Sequence, residues 1–140
     1  TLTRIAGMAR RWGRFVLPTR ADGLSQPVHV DDLAAAALAA CEAQAAHGRA
    51  YDLPGGERLR YREMVARVLA CVEPRPALHT LPMPVFLGLL RLAQARGIAG
   101  GLGPGAVARM RDDLVFDADP AARDFGYAPR GFRPTPGMFG

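Results

Sequence analysis

The residues able to do chemistry are few: three tyrosines (Tyr51, Tyr61, Tyr127), three histidines (His29, His47, His79), two cysteines, one serine and the adjacent Asp31-Asp32. All 18 basic residues are arginine. Without lysine this chain has no P-loop lysine, no Schiff-base amine and no Tyr–Lys pair. In such a pair the ammonium lowers the phenol's pKa until it can exchange a proton near neutrality. Tyr61 is followed four residues on by Val65 and Tyr127 by Gly131. Ser25 does not sit in Gly-x-Ser-x-Gly, which removes the strained turn that exposes a hydrolase nucleophile.

The other candidates have plainer readings. Asp31-Asp32 opens an apolar stretch, with Asp31 at the expected helix N-cap and Asp32 placing charge in the first turn. The pair is not spaced as a calcium loop. His29 alternates with Val28 and Val30, so a hydrogen-bonded structural histidine is expected there. Cys41 and Cys71 lie in apolar helical patterns without a Cys-x-x-Cys, which predicts buried free thiols and a reducing, cytoplasmic setting. Gly97, Gly100 and Gly103 fit Gly-x-x-Gly-x-x-Gly, but a helix precedes them. A dinucleotide loop needs a strand before and a helix after, so that the helix N-terminus faces the pyrophosphate. Arg130-Gly-Phe-Arg133 is a possible anion contact in the tail.

These residues hang on a mixed pattern of elements. Leu2, Ile5, Ala6, Met8, Ala9 and Trp12 make a helical stripe that Gly13 ends. Phe15–Leu17 and Val28–Val30 read as short strands, with a polar loop over 19–26. Residues 33–46 form an Ala-rich helix stopped at Gly48. Ala50–Leu53 is a third strand closed by Pro54-Gly55-Gly56. Residues 60–73 are amphipathic, with Met64, Val65, Val68, Leu69 and Val72 on one face. Leu78–Leu81 is a fourth strand, and Pro84 suits the first turn of a helix running to Gly97. Val107–Asp112 makes a helical turn or two, and Pro120–Phe125 a short helix ended by Gly126. The order is that of an α/β chain. It predicts one compact unit over 1–140, a Gly-rich loop at 97–105 and an extended tail at 118–140.

Composition narrows the classes further. The chain has 140 residues, 49% apolar and 22% charged, which is the globular range. No apolar run reaches the roughly 18 residues of a membrane span. The net charge of +5 comes from arginines scattered from Arg4 to Arg133. Without a block of like charge, a basic nucleic-acid-binding module is only the third reading.

Several segments, taken in order, carry a resemblance. Gln26-Pro-Val-His-Val-Asp-Asp-Leu-Ala34, Arg49-Ala-Tyr-Asp-Leu-Pro-Gly-Gly56, Arg60-Tyr-Arg-Glu-Met64 and Asp124-Phe-Gly-Tyr-Ala-Pro-Arg-Gly-Phe132 resemble successive segments of the extended short-chain dehydrogenase/reductase family, the NAD-dependent epimerases and dehydratases. The stretch Asp113–Asp117 before Ala122–Gly126 is similar to the branch that includes the complex I accessory subunit, which often binds NADP(H). Two features depart from nucleotide-sugar epimerases. Ser25 stands where they often carry a diphosphate-binding arginine, and their later Arg-x-Gly-Asp segment is missing.

The resemblance implies a small C-terminal substrate domain with short strands and four to five helices, lacking the Rossmann half. It would be roughly the last 40 to 45% of such an enzyme, on usual domain sizes. NAD or NADP would belong to the parent protein, with no cofactor site in this chain. Hydride transfer would occur on the missing half, and this chain would build pocket wall for a small molecule such as a nucleotide sugar or sugar-like alcohol. The wall residues implied are Arg20, Ser25, Gln26 and His29, then Arg91, Arg96 and Arg130. Alone, the chain is expected to be inactive and to self-associate through the face that the missing half would cover. The alternative is a non-catalytic interaction or scaffold domain derived from the same fold.

Overall fold

The computed structural model describes residues 2–97 and 104–139. The glycines at 100 and 103, and most of the expected 97–105 loop, lie outside the described residues. Those residues hold six α-helices and four short strands, a small α/β architecture. They group into two compact units where one was expected: unit 1 comprises residues 1–24, 60–113 and 133–140, unit 2 residues 25–59 and 114–132.

Unit 1 is built on a parallel pair, β1 (Arg14–Pro18) and β4 (Ala77–Leu81), in register from Arg14 opposite Ala77 to Pro18 opposite Leu81. The amide of Thr19 continues the ladder, donating to the Leu81 carbonyl at 2.8 Å. α3 (Tyr61–Ala70) joins the strands and buries Tyr61, Met64, Val65, Val68 and Leu69, the spacing of one helical face. Its N-cap, Arg60, offers no capping side chain. The loop that follows β1 compensates. The amide of Tyr61 donates to the Gly23 carbonyl at 2.8 Å and that of Arg62 to the Ala21 carbonyl at 3.2 Å, which satisfies two orphan donors. α1 (Leu2–Trp12) sets Ile5, Ala6 and Ala9 into the same core. Gly13, at φ 64°, ends it. Leu17, Pro18, Val65, Val68 and Val72 are the largest fully buried side chains. α4 (Met83–Ala95) buries Phe86 but leaves Val85, Leu89 and Leu92 about half exposed. α5 (Pro104–Arg111) follows, starting three residues before the turn or two expected from Val107.

Unit 2 has a smaller core: Ala36 from α2 (Val30–Glu42), Ala121 from α6 (Asp119–Phe125) and Tyr127, with Tyr51, Leu53 and Phe125 packed against them. Tyr51 and Phe125 meet edge to face, ring centroids 5.0 Å apart, a favourable aromatic geometry. β2 (Leu24–Ser25) and β3 (Leu59–Arg60), each with one residue in either unit, make a two-stranded sheet.

Several expectations are corrected here. Val28–Val30 is not a strand: Val30 already belongs to α2, and His29 rather than Asp31 is its N-cap, accepting from the Asp31 amide at 3.2 Å through Nδ1. Ala50–Leu53 is not a strand either. Both are short apolar runs, and a strand exists only where a neighbour completes its ladder. The Ala-rich helix spans Val30–Glu42, breaks at Ala43 and resumes as a 3-10 turn at Gln44–Ala46. Cys41 is exposed, not buried, and Cys71 is half-buried. The pattern misled because α2 is nearly half alanine, with Ala36 its only buried residue. The short helix expected at Pro120–Phe125 is α6, and the tail beyond it is less extended than expected, holding a 3-10 turn, Pro136–Phe139, that buries Phe139.

Candidate functional site

Dividing the charges between the units changes their meaning. Unit 1 has 14 arginines against 5 acidic residues and unit 2 has 4 against 8. The modest +5 of the chain is therefore +9 on one unit and −4 on the other.

In unit 2 the residues expected to line a substrate pocket hold loops together. The Gln26 side-chain oxygen accepts from the Phe116 amide at 2.7 Å, and its nitrogen donates to the Gly55 carbonyl at 3.4 Å. His29 caps α2. Arg130 gives both its amide (3.0 Å) and its Nε (2.8 Å) to the Asp32 carboxylate. Burial alone would raise the Asp32 pKa, but the Arg130 amide and guanidinium outweigh it and hold the carboxyl below its ordinary value. Ser25 is half-buried in β2, bridged to Leu114. A pocket of about 220 Å³ between α2 and α6 has only one charged wall residue, that same Asp32.

A second latch went unread in the sequence. Tyr51 donates its phenol to Asp124 at 2.6 Å, and Arg49 donates to the same oxygen at 2.8 Å. The Tyr51 bond, more than the Arg49 bond and charge, lowers the Asp124 pKa against partial desolvation. A depressed carboxylate contributes stability that is complete above its unfolded value, about 3.9, and is lost as pH falls through the lower folded value. Asp124→Asn is therefore expected to lower the urea midpoint near neutral pH, with the difference shrinking as the pH falls below the ordinary carboxylate value. Equal midpoints at neutral pH would contradict this latch.

Proton chemistry finds little support among the described residues. Burial pushes all three phenols above the ordinary tyrosine value, aided at Tyr51 by Asp124 and opposed at Tyr61 by the Arg109 charge. A proton-exchanging tyrosine needs the opposite shift. No group of three His, Cys, Asp or Glu among the described residues is placed to hold a metal ion.

Unit 1 carries a recess of about 500 Å³. α1 contributes Met8 and Trp12, β1 contributes Arg14, Phe15 and Val16, and α5 contributes Met110. The fourth wall is α4, through Phe86, Leu89, Leu90 and Ala93. Arg14 is the one charged side chain in this lining. The groove exists because one face of α4, Phe86, Leu89, Leu90 and Ala93, is only partly covered: Phe86 is buried, Leu90 is half-buried and Leu89 is exposed. That pattern at a surface was the available signal. A cleft of about 350 Å³ between α4 and α5 shares Leu90 with the groove and is lined by Arg91 and Arg111. Arg20, in the turn after β1, and Arg96, capping α4, are exposed and line neither. Of the expected wall residues, only Arg91 faces a recess in unit 1.

No protein-family pattern matches the chain, and no curated protein matches its sequence. Among solved structures it is similar to the one titled "Crystal structure of gox2253", at 27% identity and a TM-score of 0.55. The match covers 94% of this chain and 39% of that one, so the chain spans well under half of its structural relative. Among the described residues no helix is long and apolar enough to cross a membrane.

Proposed function

We infer that the chain is the substrate-pocket region of an NAD(P)-dependent epimerase/dehydratase-type or reductase-like protein and is not catalytic by itself. The observation that carries this reading is the match of nearly the whole chain to a minor share of a longer one. The ordered segments from Gln26 to Phe132 support it.

The nicotinamide cofactor does not fit the described residues. A pyrophosphate cradle needs a glycine turn between a strand and the helix after it. Here β3 runs directly into α3, β4 reaches α4 through Pro82, and residues 26–29 between β2 and α2 contain no glycine. NAD or NADP is assigned to a separate dinucleotide-binding half, along with the tyrosine and lysine of hydride transfer. This chain's part is to bind and orient substrate, which sets specificity.

A scaffold function is the second reading. It is favoured by one observation: Gln26, His29 and Arg130 are all engaged in holding loops. Titrating the 140-residue chain with NADH and NADPH is expected to give no binding, whereas the full product of its gene binds one of them. Binding of either nucleotide by the chain alone would overturn the assignment. A full product that binds neither would favour the scaffold.

A further inference from the structure

We propose that the groove of unit 1 binds a single-chain anionic amphiphile, an alkyl carboxylate, with its apolar body between α1, β1 and α4 and its head on Arg14. The inference does not depend on nicotinamide chemistry. It begins with volume and lining: about 500 Å³ falls in the range of small-molecule sites, about 300–1,000 Å³. The walls are aliphatic and aromatic, and Trp12 and Leu89 are 45% and 51% exposed, so an apolar body gains burial on entry. A sugar needs several hydrogen-bonding side chains to replace its water, and this lining offers only Arg14.

Charge selects the head. The Arg14 side chain is exposed and has no hydrogen-bond or ion-pair partner among the described residues, and no acidic side chain lines the groove. Its guanidinium fork suits a carboxylate. The surrounding unit, at +9, adds a field that draws anions and repels cations. The same field argues against a second copy as occupant, because a two-fold contact through this face would set two such units against each other.

Trp12 is the sole tryptophan and lines the groove, so its emission reports occupancy. Decanoate below its micelle concentration is expected to shift that emission to the blue, saturably. Decanol should bind more weakly and decyltrimethylammonium not at all. Arg14→Gln should weaken decanoate about tenfold, one charge-assisted hydrogen bond, and leave decanol unchanged. Ala93→Phe, which fills the groove, should abolish both, while Arg91→Gln, in the neighbouring cleft, should change neither. Circular dichroism checks that each variant folds.

The proposal is overturned by an unchanged emission, by equal binding of the cationic amphiphile, or by loss through Arg91→Gln but not Arg14→Gln. It is also overturned by a response to anionic vesicles alone. A blue shift that grows with protein concentration without decanoate would assign the groove to a second copy instead.

Discussion

Replacing Gly55 with alanine is expected to unfold unit 2. A Cβ at this position would lie on the carbonyl oxygen of Pro27, with the Pro27 carbon 2.6 Å and the Val28 nitrogen 3.1 Å away. These are backbone atoms, so no side-chain rotation relieves the overlap. The two segments are also tied by hydrogen bonds: the Gly55 amide donates to the Gln26 carbonyl at 3.1 Å, and the Gln26 side chain returns a bond to the Gly55 carbonyl. Pushing them apart disturbs the approach to His29, which caps α2, and to Asp32, which holds Arg130. The loss should be on the order of 3–5 kcal/mol, the scale of the severest single substitutions. Urea unfolding followed by circular dichroism measures it. Gly88→Ala is the control, because its Cβ would meet open space inside α4. That change should stabilise by about 0.5–1 kcal/mol. Equal midpoints for Gly55→Ala and wild type would refute the packing described for this turn.

Leu17→Ala should have a comparable effect on unit 1. Leu17 is wholly buried in β1, in a core shared with α1 and α3. Truncating such a leucine loses the transfer energy of its methyl groups and leaves a cavity, together about 3–5 kcal/mol. Against a total stability of about 5–15 kcal/mol for an ordinary domain, the unit would be left near its threshold. Its cross-strand partner in the register, Thr80, is exposed. Thr80→Ala should stay within about 0.5 kcal/mol of wild type. The contrast between neighbours in one ladder separates burial from strand pairing as the source of stability. A loss below about 1 kcal/mol for Leu17→Ala would mean that the core is looser than described.

Unit 1 was the more legible half. α1, α3 and α4 announce themselves by apolar spacing, and Gly13 and Gly97 end helices at the positive φ that glycine tolerates. β1 and β4 are apolar runs bounded by glycine or proline. Local pattern failed where the outcome depends on a distant partner. Val28–Val30 and Ala50–Leu53 have strand composition but no strand beside them. The roles of Gln26 and Arg130 were hidden for the same reason, since their partners Phe116 and Asp32 lie 90 and 98 residues away in sequence. A polar residue in a loop reads as a ligand-binding group until its partner is known. The charge separation was concealed by averaging: arginines spread along the chain fold mostly into one unit. The groove was missed because its walls have the same composition as a core, and only the fold tells which apolar residues remain uncovered.

The central claim is that this chain builds a substrate pocket for chemistry performed by a dinucleotide-binding half. The reading frame upstream of the Thr1 codon tests it most directly, over about 600 bases, the coding length of one domain. The account predicts an in-frame strand, a glycine-rich loop and a helix, followed by Tyr-x-x-x-Lys. A start codon immediately before Thr1 would contradict it and make the chain a stand-alone domain.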